Sequence, residues 1–260
     1  MNPFEQQRPI PGVAFIVAVS SGKGGVGKST VAANLALAHA KTGARVGLLD
    51  ADIYGPSQPR MFGAIAQKPR VIGENKIEPL FRYGVKLMSM GFLVDENAAL
   101  VWRGPMLFKA MEQLLREVHW GELDYLLVDL PPGTGDVQLS LAQKVPVNGA
   151  IAVTTPQNVA LADVKKSINM FQQIKIPILG VIENMAHFLG PNGEKLEMFP
   201  RGEIDTYMKL NDIGKLGEIP FHPQLSAACE VGIPIVESQP SHVISKQFIE
   251  TAKALRARLG

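Results

Sequence analysis

Ser21-Gly22-Lys23-Gly24-Gly25-Val26-Gly27-Lys28-Ser29-Thr30 is a glycine-rich loop that carries two lysines. Gly22, Gly27, Lys28 and Ser29 satisfy the pattern Gly-x-x-x-x-Gly-Lys-Ser/Thr, in which glycines let successive backbone N–H groups turn inward around a phosphate chain. Gly22, Gly24, Gly25, Val26, Gly27, Lys28, Ser29 and Thr30 are therefore the candidate phosphate-binding residues. The loop follows an apolar run, Val13 to Val19. It opens a segment, Ser29 to Lys41, in which Val31, Leu35 and Ala38 recur at helical spacing. Strand, loop and helix follow in the order that sets a phosphate at a helix N-terminus. Lys28 is expected to reach the β- and γ-phosphates, and the Ser29 hydroxyl to help hold Mg²⁺.

Outward from the loop, short runs that are apolar on both faces alternate with helical patterns. Arg45 to Leu49, Val85 to Met88, Tyr125 to Val128, Ala150 to Val153 and Ile178 to Ile182 read as strands. Met106 to Val118, Val137 to Lys144 and Leu161 to Ile174 repeat apolar residues three and four apart, as helices do. The alternation predicts an α/β fold with a doubly wound, mostly parallel sheet flanked by helices, whose ligands bind beyond the carboxyl ends of the strands. A polar, Pro-rich N-terminal extension, residues 1–12, precedes one domain at 13–260. Gly55 to Arg82 and His187 to Arg201 break the alternation and read as loops or small hairpins on the rim.

Strand ends hold the acids. Leu48-Leu49-Asp50-Ala51-Asp52 ends the second strand in two carboxylates, and Leu126-Leu127-Val128-Asp129 ends another in one. Asp129 has the form of a Walker B aspartate, so Ser29, Asp50 and Asp129 are the candidate Mg²⁺ residues, directly or through water. Asp52 is then available to orient the attacking water. Asp129-Leu130-Pro131-Pro132-Gly133 has the Asp-x-x-Gly spacing of a switch loop, in which the Gly133 N–H can bond a γ-phosphate.

The 260 residues are 46% hydrophobic with a net charge of +2, enough for one large core and no general electrostatic footprint for nucleic acid. One cysteine, Cys229, excludes an internal disulfide framework, and no apolar run approaches the roughly 18 residues of a membrane span. Residues 1–12 resemble neither a signal peptide nor a transit peptide, which makes the cytoplasm the expected compartment.

Several motifs resemble one family. Lys-Gly-Gly-Val-Gly-Lys-Ser-Thr, Gly47-Leu48-Leu49-Asp50-Ala51-Asp52-Ile53-Tyr54-Gly55-Pro56-Ser57, Val101-Trp102-Arg103-Gly104-Pro105, Asp129-Leu130-Pro131-Pro132-Gly133-Thr134-Gly135-Asp136 and Val181-Ile182-Glu183-Asn184-Met185 are similar to the Mrp/NBP35 (ApbC) proteins. Those are deviant-Walker P-loop ATPases that carry iron–sulfur clusters and are related to MinD and ParA. The resemblance runs from about Pro11 to Ser238. It implies a homodimer that hydrolyses ATP with Mg²⁺ and acts in iron–sulfur cluster assembly or transfer, with apo iron–sulfur proteins or assembly factors as partners. It also implies that Lys23 reaches the partner's phosphates, that Asp52 positions water, that Asn184 contacts adenine, and that Pro220 and Phe221 lie near the base.

The chain departs from that family at the cluster ligands. Where Cys-Pro-x-Cys is usual, it reads Gly190-Pro191-Asn192-Gly193, and glycine has no side-chain ligand atom. Cys229, with His187, His222 or an exogenous thiol, is the remaining candidate donor set. Alternatives to a cluster carrier are a nucleotide-gated regulator that has lost cluster binding and a MinD/ParA-like positioning ATPase. The C-terminal segment Val243 to Leu259 bears on the last. Its apolar face of Phe248, Ala252, Leu255 and Leu259 would lie on a membrane or, more commonly, against the sheet.

Overall fold

A computed structural model describes residues 7–73, 76–93 and 104–260. The chain begins with β1 (Val13–Ser21), α1 (Lys28–Lys41), β2 (Val46–Asp50) and a four-residue α2 (Gln58–Met61). Next come β3 (Arg70–Ile72), β4 (Lys76–Glu78), β5 (Leu80–Arg82), β6 (Val85–Ser89) and α3 (Gly104–Arg116). The middle of the chain forms β7 (Leu123–Asp129), α4 (Asp136–Lys144), β8 (Gly149–Thr154), α5 (Asn158–Gln173) and β9 (Ile178–Leu189). The rest is β10 (Lys195–Leu196), α6 (Ile204–Leu210), β11 (Lys215–Phe221), α7 (Pro223–Glu230), α8 (Ile235–Ser238) and α9 (Val243–Leu259).

The main sheet runs β5-β6-β2-β7-β1-β8-β9-β11, with β10 antiparallel to the far end of β9. Every other pairing in it is parallel except β5 with β6, so the expected doubly wound sheet is present. Residues in β2 and β8 are buried at every position, which is why those stretches read as continuous apolar runs rather than alternating ones. One core lies between the sheet and α1, α8 and α9, and a second on the opposite face under α3 and α4. A smaller cluster joins α5, α6 and β9.

Helix α1 is buried from Val31 through His39 because α9 covers the side that the sheet does not. Phe248, Ala252 and Leu255 of α9 are buried in that contact, so its apolar face is already occupied by the protein. No helix among the described residues is long and apolar enough to cross a membrane. Residues 101–103, which carry the Val-Trp-Arg part of the family motifs, lie outside the described residues.

Two segments differ from their sequence reading. The rim stretch Gly55 to Arg82 holds the β3–β4 hairpin, as expected, but also α2, which a Pro-rich sequence conceals. Strand β9 does not stop at Ile182. It continues to Leu189, so Asn184 sits inside the strand, and the segment after it forms the small hairpin that was one of the two expected forms. Along β9, Asn184 faces Ile219 while Phe188 faces Phe221, four steps against two on β11. The surplus is taken up at Met185, a non-glycine residue with φ 53°.

Candidate functional site

Two glycines of the phosphate loop are required by close approach. A Cβ on Gly22 would lie 2.1 Å from the Asp163 backbone of α5, and one on Gly27 would lie 2.3 Å from Asn184 Nδ2. Gly25 and Gly27 also have φ of 81° and 77°, the left-handed region that glycine enters at little cost. Asn184 donates from Nδ2 to the Val26 carbonyl at 2.8 Å, so β9 holds the back of the loop in shape. Its buried Oδ1 has no protein partner.

The register of the sheet brings the acids together. Asp50 of β2 and Asp129 of β7 are direct parallel neighbours, both wholly buried. Lys28, the first residue of α1, is 6% exposed and pairs its ammonium with Asp129 Oδ1. The same ammonium lies 3.2 Å from Ser29 Oγ. Asp50 is held by three donors: the Asp52 N–H at 3.2 Å, the Gln58 N–H at 3.1 Å and the Ser89 hydroxyl at 3.0 Å. Burial, then the neighbouring Asp129 charge, pushes the Asp50 carboxyl above its usual range, while those hydrogen bonds and Lys28 pull it back. Ser29, Asp50 and Asp129 therefore converge as the sequence suggested. Two carboxylates and a hydroxyl beside a phosphate cradle are hard oxygen donors, the set that Mg²⁺ takes when phosphate and water complete its shell.

Gly133 follows Asp129 across the switch loop, with φ 89° and its N–H bonded to the Ser21 carbonyl at 2.9 Å. The loop is strapped by Gln138 of α4, whose amide donates to the Pro131 and Gly133 carbonyls and accepts from the Gly135 N–H. Gln138 and Gln58 are site residues that pattern reading missed. A glutamine at the third position of a helix that follows glycine was the available signal for Gln138.

The remaining candidates fall around this centre. Lys23 is half-buried and its side chain has no protein partner among the described residues; its carbonyl accepts the Ser21 hydroxyl. Asp52 caps the turn that follows it, its Oδ1 accepting the Tyr54 and Gly55 N–H groups at 3.1 and 3.2 Å. Pro220 is buried and Phe221 partly exposed at the end of β11. Beside Asn184, the wholly buried Glu183 is neutralised by Arg201 and Lys215, which tie the end of the hairpin segment and the start of β11 to β9.

The glycine pair lies in the turn joining β9 to β10. Gly190 donates to the Glu194 carbonyl and Gly193 to the Gly190 carbonyl, both at 2.9 Å. A Cβ on Gly190 would meet the Glu194 carboxylate at 2.3 Å, and Gly193 has φ 81°. Cys229 is not in this turn. It is buried in α7, bonded to Thr30 and Asn34 of α1, and burial raises its thiol to about 11, a poor thiolate donor. His187 is buried and kept toward its neutral form by burial and then by the Lys195 charge. No group of three or more His, Cys, Asp or Glu among the described residues is arranged to hold a metal.

Bound phosphates in the cradle would face a lysine and two in-register strand-end acids at the carboxyl edge of a parallel sheet, which is how a P-loop NTPase is built. Comparison with solved structures agrees: an ADP complex of a nucleotide-binding protein from Archaeoglobus fulgidus is 41% identical over 86% of this chain and 88% of that one, with a TM-score of 0.74. The cell division ATPase MinD of Pyrococcus furiosus shares the fold, with a TM-score of 0.70 at 22% identity over 94% of this chain and 99% of that one.

The chain belongs to the ParA family described as NUBPL iron-transfer P-loop NTPases, which matches residues 12–256. An iron–sulfur cluster carrier protein of Aquifex aeolicus is 49% identical over 98% of this chain and 70% of its own length. The iron–sulfur cluster transfer protein NUBPL of Mus musculus is 46% identical over 98% of this chain and 80% of its own.

Proposed function

We propose that this chain is a homodimeric, Mg²⁺-dependent ATPase that acts in iron–sulfur cluster assembly or transfer, with an apo iron–sulfur protein or assembly factor supplying part of the cluster's ligand set. The family match across residues 12–256, which contains the whole loop-and-acid constellation, carries the reading. Lys28 would neutralise the β,γ-phosphates; Ser29, Asp50 and Asp129 would hold Mg²⁺, which would offset phosphate charge. Lys28 already serves the site of its own subunit. The free ammonium of Lys23 is therefore available to the partner's phosphates, as an arginine finger would be. Asp52 orients water, Asn184 and Pro220-Phe221 lie toward the base, and the Gly133 amide exchanges the Ser21 carbonyl for a γ-phosphate.

Anaerobic reconstitution with iron and sulfide, with and without ATP, alone and with a four-cysteine apo acceptor, tests the reading. ATP-dependent delivery of a cluster to the acceptor supports it. No cluster on the chain and no effect on the acceptor would favour the nucleotide-gated regulator, a reading that the cysteine-free turn Gly190-Pro191-Asn192-Gly193 supports. ATP-dependent pelleting with liposomes or DNA would instead favour a positioning ATPase.

A further inference from the structure

Gln58 is the first residue of α2 and is wholly buried. Its side-chain Nε2 donates to the Ser29 carbonyl at 3.0 Å and to Asp129 Oδ2 at 2.8 Å, and its backbone N–H donates to Asp50 Oδ2 at 3.1 Å. One residue thus ties together the phosphate loop and both strand-end acids, three pieces that the chain brings from separate elements. The amide cannot be flipped without setting its oxygen against a carbonyl and a carboxylate, so both Nε2 hydrogens are assigned by their acceptors. That leaves Oε1, which is buried without a partner among the described residues. An unpaired buried amide oxygen costs about 1–3 kcal/mol, and one that faces a cluster of acids calls for a water or an ion as its partner.

We propose that Gln58 is a positioning residue for the Mg²⁺ of this site. Its side-chain amide fixes Asp129 Oδ2, its backbone N–H fixes Asp50 Oδ2, and its Oε1 is the acceptor left for the metal's water shell. Without it, Asp129 Oδ2 loses its only side-chain donor among the described residues, and Asp50 Oδ2 keeps the Ser89 hydroxyl and the backbone N–H at 58. Outer hydrogen-bond partners of a metal site typically change metal affinity by about 10–100-fold when removed. The inference rests on the Mg²⁺-ATP reading above.

The test is ADP binding, measured with a fluorescent ADP analogue across a Mg²⁺ titration and in EDTA, for wild type, Gln58→Leu and Gln58→Asn. The Mg²⁺ concentration giving half of the metal-dependent gain in affinity is expected to rise about tenfold in Gln58→Leu, with affinity in EDTA within about twofold of wild type. Gln58→Asn, which keeps the amide but withdraws it by one methylene, is expected to shift less. It also preserves the comparison if the leucine variant does not fold. Superimposable Mg²⁺ titrations, or an equal loss of affinity in EDTA, would overturn the assignment and leave Gln58 a brace of the loop. If wild type itself shows no Mg²⁺ effect, the metal reading fails instead.

Discussion

The Lys28 ammonium and the Asp129 carboxylate form a buried ion pair at the junction of α1 and β7, in the place where a phosphate chain would claim the lysine. The Lys28 charge offsets that of Asp129 and acts on its register neighbour Asp50, two buried acids that would otherwise face each other without a cation. Lys28→Met should lower stability by about 3 kcal/mol, the cost of stranding a buried charge, and should abolish ADP binding. Adding Asp129→Asn should restore most of the stability and none of the binding. Urea unfolding and calorimetry on the three variants check both halves.

Lys23→Ala should leave ADP affinity within about threefold of wild type, since its side chain has no hydrogen-bond or ion-pair partner among the described residues, yet should remove ATP turnover by about 10³-fold or more, the order of an arginine finger. Gel filtration with a non-hydrolysable ATP analogue should show loss of the dimer. Normal turnover in this variant would rule out the trans role.

Asn184 and Gly27 are expected to be coupled. Asn184→Ala releases the Val26 carbonyl and should weaken ADP binding by about tenfold, in line with a hydrogen bond of about 1.4 kcal/mol. Gly27→Ala should be worse, combining collision with Asn184 and strain at φ 77°. In the double variant the collision is gone while the lost hydrogen bond and the strain remain, so its loss should be smaller than the sum of the two single losses.

His39 supplies a pH signature. It is buried against Tyr125, ring centroids 4.5 Å apart, and burial with the Arg256 charge lowers its pKa from 6.5 to about 4. The unfolded chain takes up this proton first. The histidine's contribution to stability is therefore complete above pH 6.5 and lost as the pH falls through 4. Asp50, shifted upward, works in the opposite direction, so the informative quantity is wild type against His39→Gln. That difference should move by about 3 kcal/mol in favour of the variant between neutral pH and pH 4, measured by urea unfolding at each pH. Parallel curves would show that His39 is not the titrating group.

Gly190→Cys with Gly193→Cys should confer cluster binding on reconstitution, about two iron atoms per chain if four thiolates from two subunits share one cluster. Glu194 must swing aside for the first cysteine, an inexpensive move for a flexible side chain, while the second meets strain of about 1–2 kcal/mol at φ 81°. Brown absorbance and iron above the wild-type level are the readout; none would show that the arm, not its glycines alone, excludes the cluster.

The sheet was legible because β2, β7 and β8 are covered on both faces and so read as unbroken apolar runs ending in polar residues. The loop and its acids were legible for the same reason, since parallel strands deliver their last residues to one edge. Gln58 was not. Its importance comes from α2 folding back over Asp50 and Asp129, a tertiary event inside a Pro-rich stretch with no periodicity. Strand β11 was also missed, because Gly217 and Pro220 interrupt it and its burial alternates irregularly at the sheet's edge. Asp52 shows the limit at a single residue: its place two positions after Asp50 did not reveal that its Oδ1 accepts the Tyr54 and Gly55 N–H groups.

The surplus residues at Met185 make β9 a jointed arm instead of a beam. Below the joint the strand is locked between β8 and β11; above it the hairpin is carried by Phe188, flanked by Leu196 and Phe221. The joint is the next residue after the one that grips the phosphate loop. A left-handed residue there sets the heading of the strand beyond it, so the direction in which the turn at Gly190 is presented is fixed one residue from the contact that shapes the phosphate loop.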